Sequence, residues 1–258
     1  MLLAIDVSNT LTTLATFEGD KLHRIFRITT KETRSSDEYG VLLRNLVDLS
    51  DASYHDIEGI IISSVVPGRM HAINSACIRY FGLKPIIIGL GVRTGIKVKA
   101  ADQKEVGSDL IVNAAAVHEL YPGPAIVIDF GTATIYQVVQ EDGTLDSVVI
   151  VPGVQVSLNA LVSQAARIPD VEIKKPRTIL NNSTTECIQA GIFYGTVGQT
   201  EYIVRRLKKE SGLADARVIS TGEFAKMISM ETDCVDHYDP WLTLQGLRII
   251  FDKNRRRK

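Results

Sequence analysis

Ala125-Ile126-Val127-Ile128-Asp129-Phe130-Gly131-Thr132-Ala133-Thr134 reads as an apolar strand that ends on a carboxylate and breaks into a loop of small and hydroxylated residues. A strand without polar alternation is buried on both faces, as in the middle of an α/β sheet. Ile135 to Gln140 continues as a second strand, and Glu141-Asp142-Gly143 closes it with a turn. The chain opens in the same way. Leu2 to Val7 is apolar, Asp6 stands near its end, Ser8-Asn9-Thr10 forms the loop, Leu11 to Phe17 is the second strand, and Glu18-Gly19-Asp20 is the turn before Leu22 to Ile28. Two strands joined by Gly-Asp read as an antiparallel hairpin. Identity between the two blocks is low, but the order of features repeats, as it does in related domains.

Between the two blocks, Ser36-Asp37-Glu38 starts a helix through Leu49 with apolar Tyr39, Leu42, Leu43, Leu46 and Val47. Gly59 to Pro67 is β-branched and uninterrupted, as a central parallel strand should be. Val112 to Leu120 is the helix that passes from one block to the next. The expected division is a first domain over residues 1–115 and a second over 116–258, with the C-terminal segment free to pack back on the first. With no long Pro/Gly/Ser linker, the two are expected to pack closely around a cleft.

The chain has 258 residues, 45% hydrophobic and 23% charged, enough for two domains with sizeable cores. A net charge of −1 demands neither nucleic acid nor an anionic membrane as partner. The basic tail Lys253-Asn254-Arg255-Arg256-Arg257-Lys258 reads as a solvated end. Cys77, Cys187 and Cys234 are odd in number and widely spaced, which argues against a disulfide framework or zinc site and for a reducing, cytoplasmic setting. The apolar start is too short for a signal peptide, and no apolar run approaches a membrane span.

The loops carry the chemistry. Asp6-Val7-Ser8-Asn9-Thr10 offers backbone amides and hydroxyls above a buried strand, which suits phosphate. Asp6 either holds Mg²⁺ through water or caps its own turn. Asp129 to Thr134 is a second such loop, where Gly131 admits close approach of a ligand and Thr132 and Thr134 add hydroxyls. Two Asp-ended hairpins in one chain match the paired phosphate loops of the actin, hexokinase and acetate-kinase fold. Arg217 to Ala225 reads as a strand, a Thr221-Gly222 turn and a helix opening at Glu223, where that fold covers adenosine. In Glu105-Val106-Gly107-Ser108-Asp109, Asp109 can orient an acceptor hydroxyl and take its proton, or Ser108 or Asp109 can simply cap the following helix.

Taken in order, these loops resemble those of the type III pantothenate kinases. Further matches are Asp37-Glu38-Tyr39-Gly40, Ser63-Ser64-Val65-Val66-Pro67, Thr94-Gly95-Ile96, Pro152-Gly153, Thr184, Gln189-Ala190-Gly191-Ile192-Phe193-Tyr194-Gly195 and Leu242-Thr243-Leu244-Gln245-Gly246-Leu247. The resemblance implies an α/β fold of two actin-like (ribonuclease H-like) domains, each with a mixed five-stranded sheet. It implies ATP-dependent phosphorylation of pantothenate, the first step towards coenzyme A, in a homodimer with the acceptor site near the interface. Carried over by position, Asp6, Val7, Ser8, Asn9, Thr10, Leu11, Thr12 and Thr13 bind ATP phosphates and, through Asp6 and water, Mg²⁺. Asp109 is the base, Asp129 holds a monovalent cation such as K⁺ or NH₄⁺, and Thr132 contacts ATP. Gly107, Ser108, Asp109, Leu110 and Thr184 line the pantothenate site.

This chain departs from the family's pattern at those same loops. Ser8 stands where the family has Gly, Leu110 where it has Arg, and Ala100 where it has Tyr. Ser147-Val148 and Gly222-Glu223 each replace Gly-Gly. Leu110 offers no charged fork to a carboxylate. Two further readings follow: a catalytically impaired relative serving as a regulatory or binding subunit, and a kinase with a changed small-molecule acceptor.

Overall fold

The computed structural model describes residues 1–49, 53–99, 106–165 and 171–255. The chain divides into two compact units, Met1–Glu119 with Leu242–Lys258, and Leu120–Trp241.

In the first unit β1 (Leu2–Val7), β2 (Leu11–Glu18) and β3 (Lys21–Thr29) form a meander. β4 (Gly59–Ser64) and β5 (Ile86–Ile87) extend it to a five-stranded mixed sheet in the order β3-β2-β1-β4-β5. β1 pairs antiparallel with β2 and parallel with β4. That central place explains why its apolar run is buried on both faces. On one face, α1 (Ser36–Asp48) and α2 (Pro67–Phe81) pack Tyr39, Leu43, Val47 and Ile73 against Leu3, Ile5 and Ile62. α1 starts where the sequence predicts because Ser35 and Glu38 form a reciprocal capping box. The predicted β4 runs on to Pro67, but the strand stops at Ser64. Proline has no N–H for a ladder, and Pro67 instead opens α2, where that donor has no helical partner to lose.

The opposite face of this sheet is covered by α7 (Leu242–Asn254), which packs on β1 and β4. A two-residue strand, β6 (Lys97–Val98), precedes α3 (Ser108–Leu120). α3 and α7 meet at backbone distance: a Cβ on Gly246 would overlap the Val112 carbonyl. The contact is tied by Thr243 Oγ1, which donates to Asn113 Oδ1 at 2.7 Å.

The second unit repeats the strand plan with β7 (Ala125–Phe130), β8 (Ala133–Val139), β9 (Thr144–Pro152), β10 (Arg217–Gly222) and β11 (His237–Tyr238). β7 lies between antiparallel β8 and parallel β10, β9 borders β8, and β11 borders β10. α4 (Val154–Gln164) follows β9. α5 (Thr184–Ser211) and α6 (Ala225–Ser229) bury Phe193, Val197 and Ile228 against Ile126, Ile128, Tyr136 and Val138. β1 and β7 are each six residues long, and in each the only half-exposed residue beyond the apolar run is the penultimate Asp. The duplication read from the sequence is therefore present in the strands: Asp6 and Asp129 occupy the same place in their hairpins.

Candidate active site

In the first unit, parallel pairing of β1 and β4 sets Asp6 in register with Ser63, and antiparallel pairing with β2 sets it beside Thr13. The loop between β1 and β2 is a tight turn in which the Ser8 amide donates to the Leu11 carbonyl at 3.1 Å. Ser8 Oγ donates to Asp6 Oδ2 at 2.9 Å, so the hydroxyl orients the carboxylate. Asn9 and Thr10 are exposed at the tip, while Leu11 and Thr13 are half-buried. Val7 is buried in the core, and buried Thr12 shares a hydrogen with Thr30 Oγ1 at 2.8 Å. Of the predicted loop, Asn9 and Thr10 present exposed side chains and Asp6, Ser8, Leu11 and Thr13 half-buried ones; those of Val7 and Thr12 are buried.

The N-terminus of α3 comes to the end of β4. The Gly107 carbonyl accepts from Ile111 N at 3.4 Å, so Gly107 stands at the capping position that the sequence assigns to Ser108 or Asp109. Ser108 turns its hydroxyl away from the helix. It lies 3.0 Å from Ser63 Oγ, accepts from Ser64 N at 2.9 Å, and donates to the Ser64 carbonyl at 3.0 Å. Asp109 is partly buried, and its Oδ1 accepts from the Leu110 amide at 2.9 Å. Burial pushes the Asp109 carboxyl above the usual carboxylate range, against the lowering effect of that hydrogen bond. A Cβ at Gly107 would overlap Asp109 Oδ1, so glycine there makes room for the carboxylate. Two of the predicted site residues, Asp6 and Asp109, thus sit on elements that meet at one end of one sheet.

In the second unit, three backbone segments converge on the β7–β8 turn. The Gly131 amide donates to Ala133 O, and the Gly153 amide donates to Thr132 O, both at 3.1 Å. A Cβ on Gly153 would overlap the Gly131 and Thr132 carbonyls. Gly222, at φ 99°, ends β10 beside Phe130 of β7; a Cβ there would come within 2.7 Å of Asp129 Oδ1 and of the Phe130 backbone. Asp129 is held in this crowded cradle, and Thr132 is exposed beside it. The predicted helix at Glu223 begins two residues later, at Ala225, and Glu223 is exposed in the turn. In the sequence Pro152-Gly153 stands out only as a matching motif, although a Pro-Gly closing a strand also signals close approach of another backbone.

Thr184, the first residue of α5, lies on a different feature of the second unit. With Leu161, Asn182, Cys187, Ile188, Gly191 and Ile192 it lines an open, largely apolar groove of about 470 Å³. Ser183 caps the helix, accepting from the Glu186 amide at 3.3 Å.

A family model for type III pantothenate kinases matches residues 2–206. The type III pantothenate kinase of Agathobacter rectalis is 47% identical over 257 residues, which cover 100% of this chain and 99% of that relative. That of Geobacillus kaustophilus is 43% identical over 258 residues, covering all of both. The chain belongs to the type III pantothenate kinase family. A solved structure from Sinorhizobium meliloti assigned as a 2-dehydro-3-deoxygalactonokinase shares the fold, with a TM-score of 0.56, 13% identity, and coverage of 100% of this chain and 98% of that one. The fold is the actin-like α/β fold that sugar kinases share.

Among the departures from the family's pattern, Ser8 has a local explanation. Ser8 fits its turn because its hydroxyl is turned onto Asp6. Ser147 and Val148 of β9 pair with Val138 and Gln137, next to a register shift between Val138 and Val139; Ser147 is exposed and Val148 half-buried. Leu110 is half-buried directly after Asp109. Ala100 and Glu105 lie outside the described residues, as do the last three residues of the basic tail. Among the described residues no helix is long and apolar enough to cross a membrane.

Proposed function

We infer that this chain transfers the γ-phosphoryl group of ATP to a hydroxyl of pantothenate, the first step of coenzyme A synthesis. The observation that carries the reading is the Asp109 carboxyl, partly buried beside the strand end that bears Asp6, in a chain similar to these kinases along its whole length. Phosphoryl transfer through a loose transition state needs positioning and charge compensation more than covalent help. Asp109 accepts the proton of the attacking hydroxyl as the new O–P bond forms and the bond to the ADP leaving group breaks. A carboxyl pushed up by burial is better matched to that task near neutral pH than an ordinary one.

The Asp6 to Thr13 turn is the place for the ATP phosphates, met at its exposed tip, Asn9-Thr10. Among the described residues no three His, Cys, Asp or Glu come together, so a divalent ion would be held by Asp6, water and the nucleotide's own phosphates, the usual arrangement for Mg²⁺. Such an ion supplies charge neutralisation to the phosphates. Asp129 would hold a monovalent cation, with Thr132 on ATP, inside the glycine-lined turn. Gly107, Ser108, Asp109, Leu110 and Thr184 are assigned to the acceptor; Ser108 contributes shape and backbone, because its hydroxyl is taken up by β4.

The same reading makes the protein a cytoplasmic homodimer. Val156 and Leu161 on α4, 40% and 42% exposed, and Ile179 and Leu180 before α5, 61% and 83% exposed, favour a covered surface on the second unit. The test is purified protein with ATP, Mg²⁺, K⁺ and pantothenate, followed by ADP release and by mass spectrometry of phosphopantothenate. Pantothenate-dependent turnover supports the reading. ADP release with another acceptor alone moves the chain to a changed substrate, and no turnover with any acceptor moves it to a binding subunit.

A further inference from the structure

The hydroxyl of Ser108 can be assigned bond by bond. A serine hydroxyl has one hydrogen and two lone pairs. The hydrogen goes to the Ser64 carbonyl at 3.0 Å and one lone pair receives the Ser64 amide at 2.9 Å. The remaining lone pair faces Ser63 Oγ at 3.0 Å, so Ser63 is the donor in that contact. Ser63 is fully buried, and its strand position is the one paired in register with Asp6. The capacity of Ser108 is therefore filled entirely by the end of β4.

The Asp109 carboxyl, in contrast, is hydrogen-bonded within its own turn, by the amide of Leu110. It moves wherever the first turn of α3 moves. The body of α3 is held to α7 at Gly246 and Thr243, one turn and more further along. Ser108 fastens the first turn to the sheet.

We propose that Ser108 and Ser63 are positioning residues for phosphoryl transfer: their hydroxyls clamp the first turn of α3 to β4 and so fix Asp109 relative to the strand end that carries Asp6. The inference rests on the reading of Asp109 as the base. It assigns Ser108 a role that acts through Asp109 rather than through contact with the acceptor.

The test compares Ser108→Ala, Ser108→Thr, Ser63→Ala and Asp109→Asn in steady-state kinetics, alongside amide hydrogen exchange over residues 108–112 by mass spectrometry. A misplacement of about 1 Å costs about 10- to 100-fold in rate. Ser108→Ala is expected to lose that much in kcat, with the KM of ATP and pantothenate moving by less than about threefold. Ser63→Ala loses less, because both bonds to Ser64 remain. Ser108→Thr keeps the hydroxyl and recovers most of the rate. Exchange in the first turn is faster in Ser108→Ala and returns towards wild type in Ser108→Thr, a readout independent of turnover. If Ser108→Ala fails to fold, Ser63→Ala decides by the same measures. Wild-type kcat and exchange in Ser108→Ala, with Asp109→Asn inactive, overturn the clamp alone. A rise in KM without loss of kcat also overturns it. Wild-type turnover in Asp109→Asn overturns the base and the clamp together.

Discussion

Gly222 and Gly131 both border Asp129, but the structure asks different things of them. At Gly222 φ is 99°, and a Cβ would lie 2.7 Å from Asp129 Oδ1 and from the Phe130 backbone. A side chain in the left-handed region costs about 1–2 kcal/mol, and overpacking against backbone adds about 1–3 kcal/mol. Gly222→Ala is therefore expected to destabilise by about 2–5 kcal/mol, lowering Tm by roughly 6–20 °C for a unit of this size. At Gly131 a Cβ would meet Asp129 Oδ1 at 3.5 Å and Ala133 O at 3.6 Å, ordinary contact. Gly131→Ala should leave stability within about 1 kcal/mol of wild type. If the open side of Gly131 is where a phosphate approaches, the added methyl instead weakens ATP by about tenfold or more, about 1.4 kcal/mol. Scanning fluorimetry and calorimetric titration with ATP separate the two effects. A Gly222→Ala protein melting within about 2 °C of wild type refutes the packing argument. A Gly131→Ala protein with wild-type ATP affinity refutes the assignment of the β7–β8 turn to nucleotide.

Leu110→Arg should lower the apparent KM for pantothenate about 10- to 100-fold, the worth of a charge-assisted hydrogen bond of about 1.5–3 kcal/mol; an unchanged or higher KM in initial-rate measurements points to an acceptor without a carboxylate. Asp109→Asn should stabilise the protein at neutral pH. The folded-state carboxyl is raised, so the native state holds the extra proton and stability falls as pH rises from the unfolded value through the raised one. The gain in Tm should shrink to nothing in melts run below the unfolded carboxyl value, while turnover at pH 7 collapses. Cys187 is exposed at the groove and should be alkylated in the native protein. Buried Cys77, its thiol pushed up to about 12, should react only after unfolding, as peptide mapping will show.

Much of the fold is legible in the sequence because its central strands are extreme. Ile60-Ile61-Ile62 and Ala125-Ile126-Val127-Ile128 have no polar alternation and are rich in β-branched residues, as strands buried on both faces are. The Asp that ends each hairpin marks the repeat. Boundaries set by long-range packing are less visible. Gly246 looks like a flaw in a helix until the Val112 carbonyl of α3 is seen against it. Its cost in helix propensity, about 1 kcal/mol, is offset by the close approach that no other residue permits.

The site divides along the same line. Carboxylates are legible because an acidic residue at the end of a buried strand is costly without a purpose, and glycines are legible because they stand where turns must be. Hydroxyls are not. Ser63, Ser64 and Ser108 are small, neutral and compatible with a cap, a strand end or a ligand contact, and 45 residues separate Ser63 from Ser108. Only the parallel register that puts Ser63 opposite Asp6 turns them into one structure. Ser8 makes the same point from the other side. By residue type it is a side chain crowding a phosphate loop; in place, its hydroxyl is folded back onto Asp6 and the tip of the turn is left to Asn9 and Thr10. What a polar side chain does at a site position depends on the direction its polar atom takes, and that direction is set by partners the local sequence does not contain.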